Sequence, residues 1–514
     1  MKTSHAAAAV FSLATGCLAR RMELTPEALA NDVRTEQLQS TLWNLEHIAH
    51  QHGGNRAFGR PGYKASVDFV LERASERFGD KFDTYVQEFN HTYEEFFNIT
   101  LTGPDGEDVF TVSPRFNPPT PAGAGGITAR LVNTPVDRKL GSMCWEDQWD
   151  GIDAAGKIVL VRRGGCDAIV KVLFAKKKGA IGFVMTHHNW DNEKPMSRFW
   201  LSSTNPDMMM PTAIVSRPVG NAWAARLDAG EELVVTLAVN GILERRPSWN
   251  VISQTKQGDP DKVIMLGAHL DSVPAGPGIN DDGSGTAALL EIMESVERYD
   301  GFPHAIRFAW WGAEEVGLVG SLFYTRTLET KDVDKIKYYF NYDMIGSPYP
   351  MFEVMGRLED SSGGLFGNGG RLIGNGGALS GIGVDLLANY LADAGKEVTH
   401  AVFDGRSDYA GFDALGIPCV GLFTGEDVHD PCYHEACDNI NNIDLDALTI
   451  NTKAAAYALG VLANSLDGVP KRANTTVNMQ RRNKMVDQFQ TWDAISEEAQ
   501  WVRTCSHGGQ KLMV

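Results

Sequence analysis

The feature that most constrains the fold is an alternation of short apolar segments and helical segments in the second half of the chain. Three apolar segments are predicted to be buried strands: Val263–Gly267, Ala305–Trp311 and Tyr338–Tyr342. Between them, helical periodicity covers Ala287–Tyr299 and Ser321–Thr327. Strands that are apolar throughout are typical of parallel sheets, because crossover helices bury both faces of such a sheet. We therefore expect an α/β fold with a mainly parallel, doubly wound sheet and helices on both faces.

The length of the chain indicates more than one folded unit. At 514 residues it exceeds what a single hydrophobic core usually organises. A segment rich in Pro, Gly and Ala follows residue 113 and precedes a strand-rich region that we expect to form a small, separate α/β unit. The predicted division is a signal peptide at 1–19, an N-terminal part of the main domain at 22–113, an inserted α/β domain at 114–245, the main α/β domain at 246–468 and a C-terminal extension of unknown role at 469–514.

Net charge and hydropathy argue against a nucleic-acid partner and against a membrane-spanning helix. The chain holds 47 Lys and Arg against 65 Asp and Glu, and this net charge of −18 argues against binding to a phosphate backbone. Beyond the N-terminal segment, no apolar run reaches the ~20 residues that a membrane-spanning helix needs. We therefore expect no nucleic-acid partner and no membrane span.

The first residues are typical of a secretory signal. Lys2 and His5 precede an apolar stretch at 6–14, and small residues through Ala19 suit a signal peptidase. An ordinary N-terminal helix is the alternative, but the charged start and short apolar body favour export. The sequence thus predicts a secreted, extracellular protein.

An extracellular location favours glycans and disulfides. Three Asn-X-Ser/Thr triplets are predicted glycosylation sites, although such triplets also arise by chance. They begin at Asn90, Asn98 and Asn474. The pairs Cys432/Cys437 and Cys144/Cys166 lie close in sequence and are predicted to form two disulfides. The pairing of Cys505 cannot be assigned from the sequence.

Acidic and imidazole side chains follow the predicted strand ends. They are His269 with Asp271, Asp281 with Asp282, Glu314 with Glu315, Asp343, and His434. Ligands of an open α/β sheet collect beyond the carboxyl ends of its strands, so these groups are expected to converge. So many acids in one crevice would repel one another unless cations were bound there, and the mixture of imidazole and carboxylate suits zinc. The sequence therefore predicts two bound divalent ions.

Each of these groups also has a simpler explanation. A His-X-Asp pair can be a hydrogen-bonded structural couple, Asp282 can cap the helix that follows it, and adjacent glutamates can be solvated. It is their shared position after strand ends that favours a metal site.

The spacing of the groups suggests separate roles. The carboxylate of Asp271, two residues after His269, is expected to accept the second ring N–H of that histidine and so fix the tautomer that binds metal. Glycines beside Asp281 let the backbone bring its carboxylate close to the metal. Of the adjacent Glu314 and Glu315, one can bind metal while the other handles a proton.

Five motifs carry these residues. They are His269-Leu270-Asp271-Ser272, Gly278-Ile279-Asn280-Asp281-Asp282-Gly283-Ser284-Gly285, Phe308-Ala309-Trp310-Trp311-Gly312-Ala313-Glu314-Glu315, Asn341-Tyr342-Asp343-Met344-Ile345-Gly346 and Cys432-Tyr433-His434. Together they resemble the secreted di-zinc aminopeptidases, which include bacterial and fungal leucine aminopeptidases. The resemblance spans about Ser248 to Asn464, while Cys144 and Arg163-Gly164-Gly165-Cys166 resemble the protease-associated domain inserted into several members.

The resemblance implies a cofactor of two Zn²⁺ ions. His269 and Asp343 would bind one ion, Glu315 and His434 would bind the other, and Asp281 would bridge both. It also implies that the substrates are peptides with a free N-terminus.

The resemblance implies roles for five more residues. Glu314 would be the general base, Tyr433 and Arg406 would bind the substrate and the tetrahedral oxyanion, and Met344 and Phe423 would line an apolar specificity pocket. The alternatives are that the arginine forms a surface ion pair and that the tyrosine packs on the neighbouring disulfide.

The expected function is that of a secreted, monomeric zinc aminopeptidase that removes an N-terminal residue, apolar such as Leu, from peptides. One alternative is a carboxypeptidase of the same fold, which would need a cationic cluster for the C-terminal carboxylate, whereas only Arg406 is evident near the site. Another is a catalytically inactive, receptor-like homologue, and the intact ligand positions argue against it.

Overall fold

The computed structural model describes residues 22–121, 125–137, 139, 141–166, 168–187, 206–356, 380–426, 428–470 and 472. The predicted signal peptide, the Asn474 triplet, Cys505 and nearly all of the predicted C-terminal extension lie outside these residues. Within them, no helix is long and apolar enough to cross a membrane.

A twelve-stranded sheet runs through the described part of the chain. Its strands are β2 (Phe82–Thr102), β3 (Ile127–Asn133), β4 (Ile158–Arg162), β5 (Gly182–Thr186), β6 (Thr212–Val215), β7 (Val234–Thr255), β8 (Asp259–His269), β10 (His304–Trp311), β11 (Ile336–Tyr342), β12 (Phe352–Met355), β13 (Val398–Ala401) and β14 (Cys419–Phe423). The short strands β1 (Met22–Glu23) and β9 (Tyr299–Asp300) form a parallel pair of their own. The strand order is β13-β12-β14-β11-β8-β10-β7-β3-β4-β5-β6, and β2 pairs with β7 beside this path.

Helices cover the sheet and connect its strands. They are α1 (Pro26–Asp32), α2 (Thr35–Gln51), α3 (Pro61–Leu71), α4 (Ala168–Lys177), α5 (Arg217–Asp228), α6 (Gly283–Val296), α7 (Val319–Thr327), α8 (Thr330–Val333), α9 (Gly381–Asp393), α10 (Tyr409–Ala414) and α11 (Leu445–Asn464). At the centre of the sheet, β8 pairs in parallel with β10 and β11, and β11 pairs in parallel with β14. The predicted α/β fold with a mainly parallel sheet is confirmed.

Side chains of the central strands alternate between two cores. On β8, Ile264 and Leu266 belong to a core shared with α2, α6 and α11. Their neighbours Val263 and Met265 belong to a second core, shared with α7 and α10, on the opposite face. Burial on both faces explains why these strands are apolar at most positions.

The N-terminal helices pack on the first of these cores. The apolar face of α2 contributes Leu38, Leu42 and Leu45, which are completely buried, and it lies against α6. Helix α1 packs against α11. Because α6 begins beside the acidic turn at Asp281, the N-terminal segment lies close to the candidate site.

Two long antiparallel strands, β2 and β7, join the inserted unit to the rest of the sheet. The sequence predicted two strands at Asp83–Phe89 and Glu95–Thr102, and the structure corrects this to one strand of 21 residues with a register shift between Phe96 and Asn98. The first half of β7 pairs with β3 and its second half pairs with β10. The inserted strands therefore continue the main sheet, so the expected small unit is not separate in its hydrogen bonding.

The inserted unit has cores of its own and one disulfide. Residues of α4 pack with one face of β4 and β5, and residues of α5 pack near the other face. Both predicted cysteine pairs are disulfide-bonded, Cys144–Cys166 in this unit and Cys432–Cys437 in the main domain.

Candidate metal centre

The polar groups singled out in the sequence lie at the carboxyl edge of the parallel strands. His269 is the last residue of β8, Glu314 and Glu315 follow β10, and Asp343 follows β11. Since these strands are parallel neighbours, their ends bring the four side chains to one edge of the sheet. The loop before α6 and the disulfide loop at 432–437 supply the remaining groups.

Two sets of ligand atoms form here, and they share one carboxylate. The first set is His269, Asp281 and Asp343; the second is Asp281, Glu315 and His434; within each set the ligand atoms lie within 4.8 Å of one another. Oδ1 of Asp281 is 3.0 Å from Nε2 of His269, and its Oδ2 is 3.2 Å from Nε2 of His434. The two oxygens of Asp281 thus face different sets.

The separations between these atoms are close to those around a tetrahedral zinc ion. A tetrahedral ion with bonds of about 2.0–2.2 Å places its ligand atoms roughly 3.3–3.6 Å apart. Nε2 of His269 is 3.7 Å from Oδ1 of Asp343, and Nε2 of His434 is 3.0 Å from Oε2 of Glu315. Among the described residues, Oε1 of Glu315 is buried without a hydrogen-bond partner, a state that calls for another ligand. Both the donor types and this oxygen suit a bound metal ion.

Burial and mutual repulsion set the electrostatics of the site. Burial raises the pKa of Glu315 to about 7 and raises the pKa of Glu314 well above its ordinary value. Burial lowers the pKa of His434, but the carboxylates of Asp281 and Glu315 outweigh it and raise that pKa to about 10. The pKa of His269 is raised well above its ordinary value by the neighbouring acids in spite of burial. A metal ion held by these residues would displace protons from the two histidines.

The acidic turn before α6 is fixed by Asp282. This residue is the N-cap of α6, because its Oδ1 accepts the N–H of Gly285 at 2.8 Å. The structure thus agrees with the alternative expectation that Asp282 caps the helix that follows it. The same oxygen accepts the N–H of Met344 at 3.3 Å, and Oδ2 accepts the N–H of His269 at 3.0 Å. One buried carboxylate thus ties the ends of β8 and β11 to the turn that carries Asp281.

Asp271 positions its neighbours in a way that differs from the expectation. Nδ1 of His269 lies 3.0 Å from the main-chain carbonyl oxygen of Asp271, and the carboxylate is farther away, at 3.9 Å. The carboxylate instead accepts the N–H groups of Glu314 at 3.0 Å and Glu315 at 3.4 Å. Asp271 therefore orients the histidine through its carbonyl and both glutamates through its side chain.

Polar residues that the sequence analysis missed hold several of the ligands. Ser407 donates to Oδ2 of Asp343 at 2.6 Å and accepts a hydrogen bond from Nδ2 of Asn341 at 2.8 Å. The carboxylate of Asp438 accepts the N–H of Asp281 at 3.0 Å. The sequence offered one indication of these supporting hydrogen bonds, which is the polar side chain of Asn341 inside an apolar strand.

The structure places Tyr433 beside the ligands but gives Arg406 other partners. The ring of Tyr433 stacks on His434 with 3.8 Å between centroids, and burial together with nearby carboxylates raises the pKa of its hydroxyl, which keeps its proton. The guanidinium of Arg406 forms ion pairs with Asp404 and Glu426. These contacts agree with the alternative expectation that Arg406 forms an ion pair.

The two residues assigned to a specificity pocket border Asp343. Met344 follows it directly, is 3 % exposed and has a φ of 51°. Phe423 ends β14 half-buried, and because Tyr342 pairs with Leu422, it lies beside Asp343 on the neighbouring strand. Both residues are therefore neighbours of Asp343, Met344 along the chain and Phe423 across the sheet.

Known proteins similar to this chain identify its family. Residues 250–459 match the sequence model of peptidase family M28, and residues 127–223 match that of the PA domain. The chain is 35% identical over 502 residues to the "Probable lipoprotein aminopeptidase LpqL" of Mycobacterium tuberculosis (strain ATCC 25618 / H37Rv), covering 91% of this chain and 96% of that protein. The chain belongs to peptidase family M28. The resemblance of its motifs, including that to an inserted PA domain, is confirmed.

Two further proteins resemble the chain over most of its length. It is 33% identical over 472 residues to leucine aminopeptidase 2 of Trichophyton rubrum, covering 88% of this chain and 89% of that protein. The fold is similar to that of the aminopeptidase from Aneurinibacillus sp. strain AM-1, with a TM-score of 0.62, 24% identity and coverage of 84% of this chain and 95% of that one. At that identity the structural likeness shows the fold alone.

Proposed function

We propose that this M28 peptidase is a zinc-dependent aminopeptidase that uses two zinc ions to remove an N-terminal residue from peptides. The observation that carries the proposal is the position of Asp281 between two sets of ligand atoms. His269 and Asp343 complete one set, and Glu315 and His434 complete the other. Three protein ligands per ion leave a coordination position for water or substrate, as in catalytic zinc sites. The two relatives described above are both named as aminopeptidases.

The side chains around the ligand sets divide the chemistry. Zinc bound here supplies a lowered pKa for a coordinated water and polarisation of the scissile carbonyl. Glu314 belongs to neither ligand set, and its raised pKa suits a base that takes a proton from the nucleophile and returns it to the leaving amine. Tyr433, whose hydroxyl keeps its proton, donates a hydrogen bond to the oxyanion.

The charge of the site favours the N-terminal end of a peptide. Glu314 and Asp343 present carboxylates that suit an α-ammonium group. A carboxypeptidase would need a cation to receive a C-terminal carboxylate, and within the described residues Arg406 is already paired with Asp404 and Glu426. We therefore favour aminopeptidase action. Arg406 would bind the substrate only after breaking its ion pairs with Asp404 and Glu426.

The preferred first residue is proposed to be apolar, such as Leu. Met344 and Phe423 lie beside Asp343, where the first side chain of a bound peptide would be held. Burying a charged side chain against them without a partner would cost free energy. Apolar first residues are therefore expected to react faster than acidic ones.

We further propose that the protein is secreted and acts as a monomer. Asn90 and Asn98 are exposed on β2, where a glycan can be accommodated, and the two disulfides suit an oxidising compartment. The proposed domains remain 22–113 and 246–468 for the peptidase and 114–245 for the inserted PA domain.

One experiment tests the activity and its metal together. Purified protein is analysed for zinc and assayed with Leu-anilide, then again after chelation and after zinc is restored. We expect about two zinc ions per chain, loss of hydrolysis on chelation and recovery with zinc. Full zinc content without hydrolysis would favour the inactive, receptor-like alternative, and release of C-terminal residues would favour the carboxypeptidase.

A further inference from the structure

The loop between α2 and α3 reaches the back of the metal centre through one arginine. Arg56 is completely buried, although it lies outside the motifs that carry the ligands. Its Nε donates to the carbonyl oxygen of Pro277 at 2.8 Å, one Nη donates to that of Gly278 at 2.6 Å, and the other donates to that of Leu270. The guanidinium thus binds three main-chain carbonyls.

These carbonyls belong to the two segments that carry ligands. Leu270 lies between His269 and Asp271, and Gly278 begins the turn that presents Asp281. The main chain of Arg56 adds two bonds to the first segment, because its N–H donates to Oγ of Ser272 at 2.9 Å and its carbonyl accepts the N–H of the same serine at 3.4 Å. One residue of the N-terminal segment therefore connects both ligand-bearing segments.

The fit around this arginine is close. Gly278 has a φ of +63°, and a Cβ at that position would lie 2.5 Å from Cβ of Ser272 and 3.3 Å from an Nη of Arg56. The positive φ favours glycine, and the close approach of Ser272 leaves no room for a Cβ at this position. The turn that carries Asp281 is thus shaped to receive the guanidinium.

The charge of Arg56 acts on the carboxylates around it. Among the described residues it forms no ion pair within 4 Å, yet Asp271, Asp281, Asp282 and Asp438 interact electrostatically with it. A guanidinium remains protonated in proteins, so it is a fixed positive charge behind an acidic site. It offsets repulsion among carboxylates that the ligand arrangement forces together.

We propose that Arg56 is a positioning residue of the metal centre, which sets the zinc affinity of the site and couples the docking of the α2–α3 loop to metal binding. This inference rests on the proposed zinc-dependent function. A residue that served only to stabilise the fold would change thermal stability without changing the dissociation constant for zinc. The two roles can therefore be separated by measuring both quantities on the same variants.

The test compares Arg56→Met and Arg56→Lys with Arg73→Met. Arg73 is a matched control, because it is also a largely buried arginine of the N-terminal segment, but its partner is Glu294 on α6. Zinc dissociation constants are measured by competition with a chelator, and melting temperatures are measured beside them. We expect Arg56→Met to weaken zinc binding about 10–100-fold, Arg56→Lys to weaken it less because the charge is kept, and Arg73→Met to lower only the melting temperature.

A second measurement needs no variant. Hydrogen exchange of the wild-type protein is followed with zinc bound and after chelation, and we expect chelation to speed exchange at 52–60 as well as at 269–283, while α4 in the PA domain is unchanged. This measurement also decides the matter if Arg56→Met does not fold. Unchanged exchange at 52–60, or equal zinc affinity in folded Arg56→Met and wild type, would overturn the inference. A wild-type protein that binds no zinc would instead refute the proposed function.

Discussion

Replacing Glu314 by Gln separates proton transfer from metal binding. Glu314 lies outside both ligand sets, and its Oε2 is 3.9 Å from Nε2 of His269, whereas Oε2 of Glu315 is 3.0 Å from Nε2 of His434. Gln keeps the size of the side chain, and the main-chain N–H of residue 314 keeps its bond to Asp271. The variant therefore removes a base and leaves the ligands in place.

The expected loss follows from the role of the carboxylate. Removal of a positioned general base costs about 10²–10⁴-fold in rate, which corresponds to about 3–5 kcal/mol of activation free energy. Folding should not suffer, because Glu314 is 9 % exposed and surrounded by acids, and the loss of one buried charge relieves repulsion. We expect kcat for Leu-anilide to fall by this factor while zinc content and melting temperature are maintained.

Glu315→Gln is the matched control. It is the adjacent residue with the same change, but it weakens a ligand of the set that contains Asp281 and His434. We expect its zinc content to fall toward half, along with activity, since the other set keeps its three ligands. Kinetics and metal analysis on both variants are needed together. If Glu314→Gln lost zinc while Glu315→Gln retained it, the two roles would be reversed.

Cys437→Ser should reduce activity more than folding, because the disulfide closes a short loop worth about 2 kcal/mol of stability but holds Tyr433 and His434; peptide mapping that finds both thiols reduced in active protein would contradict this. N-acetylated Leu-peptides should resist cleavage, and Leu-peptides should react faster than Asp- or Glu-peptides; equal rates on free and acetylated peptides would reopen the carboxypeptidase alternative. Burial lowers the pKa of His91 to about 3, while an unfolded histidine titrates near ~6.5, so stability that is present above about pH 6.5 should be lost as the pH falls toward 3. His91→Gln should flatten this part of a plot of melting temperature against pH, and an unchanged slope would show that His91 does not contribute.

The sequence predicted the central sheet and the convergence of the candidate ligands for a common reason. Strands buried on both faces are continuously apolar, so their ends, and the polar residues after them, are easily located. The long strand β2 was divided in two at residues 90–94, because His91 and Thr92 are buried there although both are polar, so no apolar pattern marks this part of the strand. The role of Asp271 was misjudged in detail because sequence spacing does not reveal whether a carbonyl or a carboxylate accepts a proton.

Arg56 was missed because its partners are main-chain carbonyls more than two hundred residues away along the chain, from Leu270 to Gly278. Such bonds leave no pattern of residue types in the sequence. The acids alone indicated a cation, because their repulsion needs an opposite charge. They did not show that the chain supplies part of that charge itself, as the buried guanidinium of Arg56. The arrangement explains how Asp281 and Asp282, adjacent and both buried, can be held in one turn. Asp282 accepts the N–H groups of His269 and Gly285 and caps α6. The positive charge of Arg56 acts on both carboxylates, and the carboxylate of Asp281 faces the two histidines.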